Sequence, residues 1–235
     1  MKIGILVHGR HLQAVGWPKL AWGEPEKGNL GSLPLMVYTA LTEGLENIAV
    51  VVFGTGASEK DGLKEAEYTK KYLVDHMNDL SQFACIKEHE GFQSHLALAR
   101  LSKLCDGIVT ETVSTNTVQE IANTAKIFQA HGCTKVIQIT CGSHEPRCAR
   151  LRSEVKKQGL IPRGQIWYSI GDDMTFADSS ISDVVIVEPP HRGDDPLLGA
   201  VHLPHRLVPR MFKIDLGLRQ HFLSEFDELL TEYNV

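Results

Sequence analysis

The chain has 235 residues, 43% of them hydrophobic, which is enough for one large domain with a sizeable core. A net charge of −5 excludes the basic footprint that nucleic-acid phosphates demand. No apolar run approaches the roughly 20 residues that span a bilayer, and Met1 to His8 is too short for a secretory leader, so the expectation is a cytosolic protein with no membrane partner.

Lys2 to His8 opens the chain as a buried strand. Trp17 to Gly31, rich in Gly, Pro and Trp, follows and reads as a long loop, with Pro18 and Gly23 breaking any regular element. Pro34 to Leu45 is a helix pattern, and Asn47 to Gly54, with Ile48-Ala49-Val50-Val51-Val52-Phe53, is the second strand. Helix patterns over Lys60 to Met77 and Ser94 to Leu104 lead to a third strand, Gly107 to Thr112. Asn116 to Ala130 sets Val118, Ile121, Ala122, Ala125 and Phe128 at helical steps. Lys135 to Cys141 is the fourth strand, Glu145 to Gln158 a helix, and Gln165 to Ile170 and Asp183 to Glu188 are further strands. A last helix runs from about Leu216 to Tyr233. The strand runs are short, β-branched and apolar at successive positions, as in strands covered on both faces. Alternation with helices predicts one α/β domain over 1–235: a Rossmann-like, doubly wound, mainly parallel sheet with helices on both faces.

In such sheets ligands bind beyond the carboxyl ends of the strands, so the residues after each strand matter most. His8-Gly9-Arg10-His11 follows the first strand; with Trp17 and Trp22 close behind, it reads either as a polar loop or as a cationic and aromatic wall, with His8 and Arg10 facing the ligand. Gly54-Thr55-Gly56 follows the second, where exposed amides can cradle a phosphate or carboxylate; a plain turn fits too, and the GxGxxG pattern is absent. After the third strand, Asn116 is an N-cap completed by Gln119, while Glu111, Ser114 and Thr117 form a polar pocket wall. After the fourth, Ser143 can cap the next helix, and His144 and Arg147 share a face at its positive end, an arrangement that an anion or a nearby Glu would relieve. Glu111 is the candidate base, His144 the candidate acid or base, and Arg147 the clamp for an anionic small molecule. Cys141 is a possible nucleophile beside His144, although a small residue also suits a tight strand end. The five cysteines are odd in number and lack CxxC spacing, which suits reduced thiols.

Three segments together resemble the ElyC/SanA/YdcF family: the glycine turn with Glu65-Ala66, then Glu111-x-x-Ser114-x-Asn116-Thr117, then Thr140-x-x-Ser143-His144-x-x-Arg147. The resemblance covers roughly residues 47–160. Lys64, Gln119 and Glu120 depart from the family pattern, and the Trp-rich loop 17–31 and the extension 161–235 lie outside it. It implies a Rossmann-like fold, a polar pocket built from those segments and, from one branch, S-adenosylmethionine as a possible cofactor. The expected function is an enzyme acting on a nucleotide-like or other anionic metabolite. A non-catalytic sensor or partner-binding module is one alternative. A metal-dependent hydrolase using His191, Asp194, Asp195, His202 and His205 is another, although a solvated, Pro-stiffened loop explains that segment without metal. The Trp17 to Gly31 loop, starting beyond the first strand, is expected to cover the site as a lid, the alternative being that Trp17 and Trp22 only plug the domain edge or a subunit interface.

Overall fold

A run of five buried apolar residues forms the central strand, β1 (Ile3–Val7). In the computed structural model, which describes residues 1–175 apart from Val15 and Ser143 together with His221, Ser224, Glu225 and Glu228, β1 is paired on both edges. On one side lies β2 (Ile48–Gly54), in parallel, with Ile5 opposite Val51 and Val7 opposite Phe53. On the other lies β4 (Lys135–Cys141), also parallel, with Ile5 opposite Ile137 and Val7 opposite Ile139. The outer strands are β3 (Val109–Glu111), parallel to β2, and β5 (Ile166–Asp172), parallel to β4. The spatial order is therefore β3-β2-β1-β4-β5, the order of a doubly wound Rossmann-like sheet. Strand β5 lies beyond the stretch that carries the family resemblance and completes the same sheet.

Both faces are covered, as the unbroken apolar runs require. Ile3, Ile5 and Val7 face one side with Val51, Phe53, Ile137 and Ile139, and pack with α1 (Trp17–Trp22), α2 (Ser32–Glu43), α3 (Glu65–Asp75) and α4 (His95–Asp106). Leu6, Val50, Val52 and Val136 face the other, against Phe128 of α5 (Thr117–Ala130). Ile121 and Ala125 of α5 meet Leu151 and Val155 of α6 (Glu145–Lys157). The crossover after β3 moves the chain from the first face to the second. That reversal makes the C-terminal ends of β1 and β4 the topological switch point.

Two expectations are corrected. Trp17 to Gly31 is not an irregular loop: Pro18 stands in the first turn of α1, where its missing N–H costs nothing, and a ribbon follows in which Gly23–Glu24 pairs with Asn29–Leu30. Trp17 and Trp22 are both buried, edge-on to Tyr72, with Trp17 also against Tyr68 and Trp22 against Phe83. Their rings belong to the core. The second correction is at α3, which begins at Glu65 rather than Lys60, because Glu59–Lys60 and Leu63–Lys64 form a small ribbon turned at Asp61-Gly62.

The chain divides into two compact units, Met1–Ser179 and Ser180–Val235. Within the second, His221, Ser224, Glu225 and Glu228 are helical, and His221 Nε2 lies 3.3 Å from Glu225 Oε1. The expected strand Asp183 to Glu188 and the His191 to His205 segment lie outside the described residues. Among the described residues no helix is long and apolar enough to cross a membrane.

Candidate functional site

Because all five strands run the same way, the residues after them gather at one end of the sheet. Gly54 pairs with Glu111 across β2 and β3, and Cys141 with Asp172 across β4 and β5. The centre of this end is His8, buried and hydrogen-bonded through Nδ1 to Glu120 Oε2 at 2.5 Å. Glu120 stands in the first turn of α5, also buried, and its Oε1 accepts from the Gly9 amide at 3.3 Å. A carboxylate only accepts, so it fixes the proton on Nδ1 and leaves Nε2 as the reactive nitrogen. Among the described residues His8 Nε2 is buried and has no hydrogen-bond partner.

Glycine is required here by close approach. A Cβ on Gly9 would lie 2.0 Å from Glu65 Oε1 and 2.6 Å from the Gly54 carbonyl oxygen, and a Cβ on Gly54 would lie 1.9 Å from Glu120 Oε1. The two glycines make room for acids of the protein itself. Glu65, buried at the start of α3, accepts from Ser58 Oγ, and that hydroxyl accepts from the Leu12 amide at 3.0 Å. The turn after β2 also uses its donors internally. The Gly56 amide donates to the Ser114 carbonyl at 2.9 Å, and the Ala57 amide to Thr55 Oγ1 at 2.7 Å. Of the three residues expected to offer amides to an anion, Gly56 has its amide engaged by the Ser114 carbonyl.

The segment after β3 is similarly turned on itself. Glu111 Oε1 accepts from the amides of Val113 and Ser114, each at 3.0 Å, which shapes its own loop. Ser114 is fully buried and its Oγ accepts from Asn123 at 3.0 Å. Asn116 caps α5, accepting from the Gln119 amide at 2.9 Å. Gln119 Oε1 does not return to Asn116 but takes the Thr115 amide at 3.1 Å, one residue earlier. Thr117 is buried in the first turn of α5.

Arg10, also buried, crosses the end of β4 to reach β5, its Nη2 donating to Asp172 Oδ2 at 3.0 Å. Burial pushes the Asp172 carboxyl up to about 6, against the pull of the Arg10 guanidinium and the Met174 and Gly142 amides. The indole N–H of Trp17 donates to the Arg10 carbonyl at 2.9 Å. His144 and Arg147 are half-buried at the start of α6, where His144 is the N-cap, and Ser143 lies outside the described residues. Cys148, one turn into α6, sits against Thr140 Oγ1 at 3.8 Å, and burial drives its thiol far above the ordinary range. Among the described residues no group of three or more His, Cys, Asp or Glu side chains is arranged to hold a metal ion.

Asp172 and Glu120 were not candidate site residues on sequence grounds, and Glu65 entered only through the family resemblance. Glu120 carried a signal: it lies four residues before Thr124 and eight before Phe128, on the buried stripe of α5. A charge on that stripe needs a partner, and His8 is that partner.

The fold and the end of the sheet define a Rossmann-like α/β unit with a buried His–Glu pair at its switch point. No family model matches the chain, and neither a curated protein nor a solved structure matches it.

Proposed function

We propose that this unit is an enzyme acting on a small polar metabolite, with the His8–Glu120 pair as its proton-transferring group. One observation carries the reading: a buried histidine held at Nδ1 by a carboxylate 2.5 Å away, its Nε2 unpartnered among the described residues, at the point where sheets of this order bind ligands. Glu120 fixes the tautomer and compensates the imidazolium that forms when Nε2 takes a proton. Glu111, the base expected from the sequence, has its carboxylate engaged by two loop amides, so its work is to hold the pocket wall. His144 and Arg147, on the rim of the same end, are the groups for the anionic part of the ligand. Nucleotide-like molecules and S-adenosylmethionine, the latter implied by the ElyC/SanA/YdcF resemblance, are the first to test, in a cytosolic setting.

A thermal-shift screen of nucleotides, S-adenosylmethionine and small carboxylates identifies the ligand, because a molecule that binds only the folded state raises the midpoint with concentration. His8→Asn then separates the readings. Loss of turnover by a factor on the order of 10² or more, with ligand binding retained, supports the enzyme. Turnover at the wild-type rate overturns the role of His8, and binding without turnover in the wild-type protein identifies a sensor.

A further inference from the structure

A second buried polar group shares the face of His8. Gln138, in the middle of β4, is fully buried and lies opposite Leu6, so it stands on the neighbouring strand two residues back from His8. Both side chains turn to the α5 and α6 side: His8 meets Glu120 of α5, and Gln138 Oε1 accepts from Arg152 Nη1 of α6 at 3.3 Å. A guanidinium only donates, so Arg152 dictates which end of the amide faces it. The amide oxygen is held by Arg152 and the NH₂ is turned away. Arg152 is itself fixed by Ser169 Oγ of β5, opposite Gln138, at 2.5 Å. Among the described residues Gln138 Nε2 has no hydrogen-bond partner, the same condition as His8 Nε2.

The two orphan atoms are complementary. Gln138 Nε2 is a donor, and His8 Nε2 is an acceptor once Glu120 holds the proton on Nδ1. One oxygen that accepts from the first and donates to the second satisfies both. We propose that Gln138 is a positioning residue that holds a water molecule against His8 Nε2, with Arg152 and Ser169 setting the amide. The proposal rests on the reading of His8 as a base. When His8 acts, the O–H bond of that water breaks, its proton passes to Nε2, the oxygen keeps the electron pair, and Glu120 balances the imidazolium. Thr140, the residue of β4 beside His8, has its hydroxyl 3.8 Å from Cys148 Sγ, whereas the Gln138 amide nitrogen has no partner among the described residues and is the donor on this strand assigned to the water.

The test is nitrogen NMR of the histidine rings in the ligand-free full chain, comparing wild type with Gln138→Leu and Gln138→Glu. In the wild type the His8 signal should show Nδ1 protonated and Nε2 unprotonated but shifted upfield, as for a nitrogen that receives a hydrogen bond. Gln138→Leu removes the donor at similar volume, and Nε2 should move downfield to the position of a free acceptor while Nδ1–H is kept. Gln138→Glu, which keeps an acceptor for Arg152 and loses the NH₂, should do the same if the leucine variant fails to fold. An Nε2 signal unmoved in the folded variant overturns the role of Gln138 and leaves the base reading standing. Protonation at Nε2 instead of Nδ1 in the wild type overturns the base reading itself, and the positioning role with it.

Discussion

Trp17 donates its indole N–H to the backbone carbonyl of Arg10, whose guanidinium reaches Asp172 at the far edge of the sheet. The aromatic core and the end of β5 are thus joined through a single residue of the loop after β1. Trp17→Phe keeps most of the ring and loses the bond, and should destabilise the protein by about 1–2 kcal/mol, against about 3–5 kcal/mol for Trp17→Ala. Urea unfolding measures both. Because the rings of α1 are core residues, a ligand that raises the melting temperature should leave the emission of Trp17 and Trp22 unchanged in a Trp167→Phe background.

Gly9→Ala and Gly54→Ala should each destabilise by about 1–3 kcal/mol or more, because the added carbon meets a buried carboxylate or backbone atoms that have no room to retreat. Gly164→Ala is the control: its Cβ would meet nothing within 4 Å, and its stability should be within about 0.5 kcal/mol of wild type. Equal midpoints for Gly9→Ala and Gly164→Ala would contradict the packing described here.

Glu120→Ala leaves His8 buried without its acceptor and strips the Gly9 amide, and a loss of about 3–5 kcal/mol is expected. Glu120→Gln retains the volume and an acceptor oxygen, so its loss should be smaller, about 1.5–3 kcal/mol. Chemical denaturation of the pair checks this, and a Glu120→Gln variant as stable as wild type would show that the carboxylate bonded to His8 contributes only its volume.

Asp172 gives stability a pH dependence of unusual sign for an acid. Its carboxyl is raised to about 6 in the folded protein, above the unfolded value of about 4. The folded state therefore keeps a proton that the unfolded chain has released. The stabilisation is full below about pH 4 and is lost as the pH rises through about 6, on the order of 2–3 kcal/mol. Asp172→Asn removes this dependence while keeping an acceptor oxygen for Arg10. The decisive quantity is the difference in melting temperature between wild type and variant from pH 4 to 7, which should change in favour of the variant as pH rises. A flat difference would place the Asp172 carboxyl in the ordinary range.

The strands were legible because a parallel sheet buried on both faces asks only for consecutive β-branched and apolar residues, and Ile48 to Phe53 supplies them without a break. The Trp17 helix was not, since six residues with Pro18 inside carry little helical signal and are held by burial against Tyr68 and Tyr72, a tertiary effect. The place of His8 and Arg10 at the C-terminal end of the sheet was legible from position alone, just after a strand. Glu120 and Gln138 were hidden inside regular elements, where a sequence reader attends to the apolar positions. Their polarity within a buried stripe and a central strand was the sign that each had a partner elsewhere in the chain.

The central place of β1 bears on the order in which the sheet is made. Of the five strands it leaves the ribosome first, yet its two edges are filled by β2, about 45 residues later, and by β4, more than 130 residues later. The strand around which the sheet is organised thus keeps one edge open until residue 141 is made, and closing that edge requires a long loop of chain to be drawn in. The nascent protein should be most prone to aggregate in the interval before residue 141 has emerged, and a variant that slows β4 docking should lower the soluble yield while leaving the equilibrium stability of the finished protein unchanged.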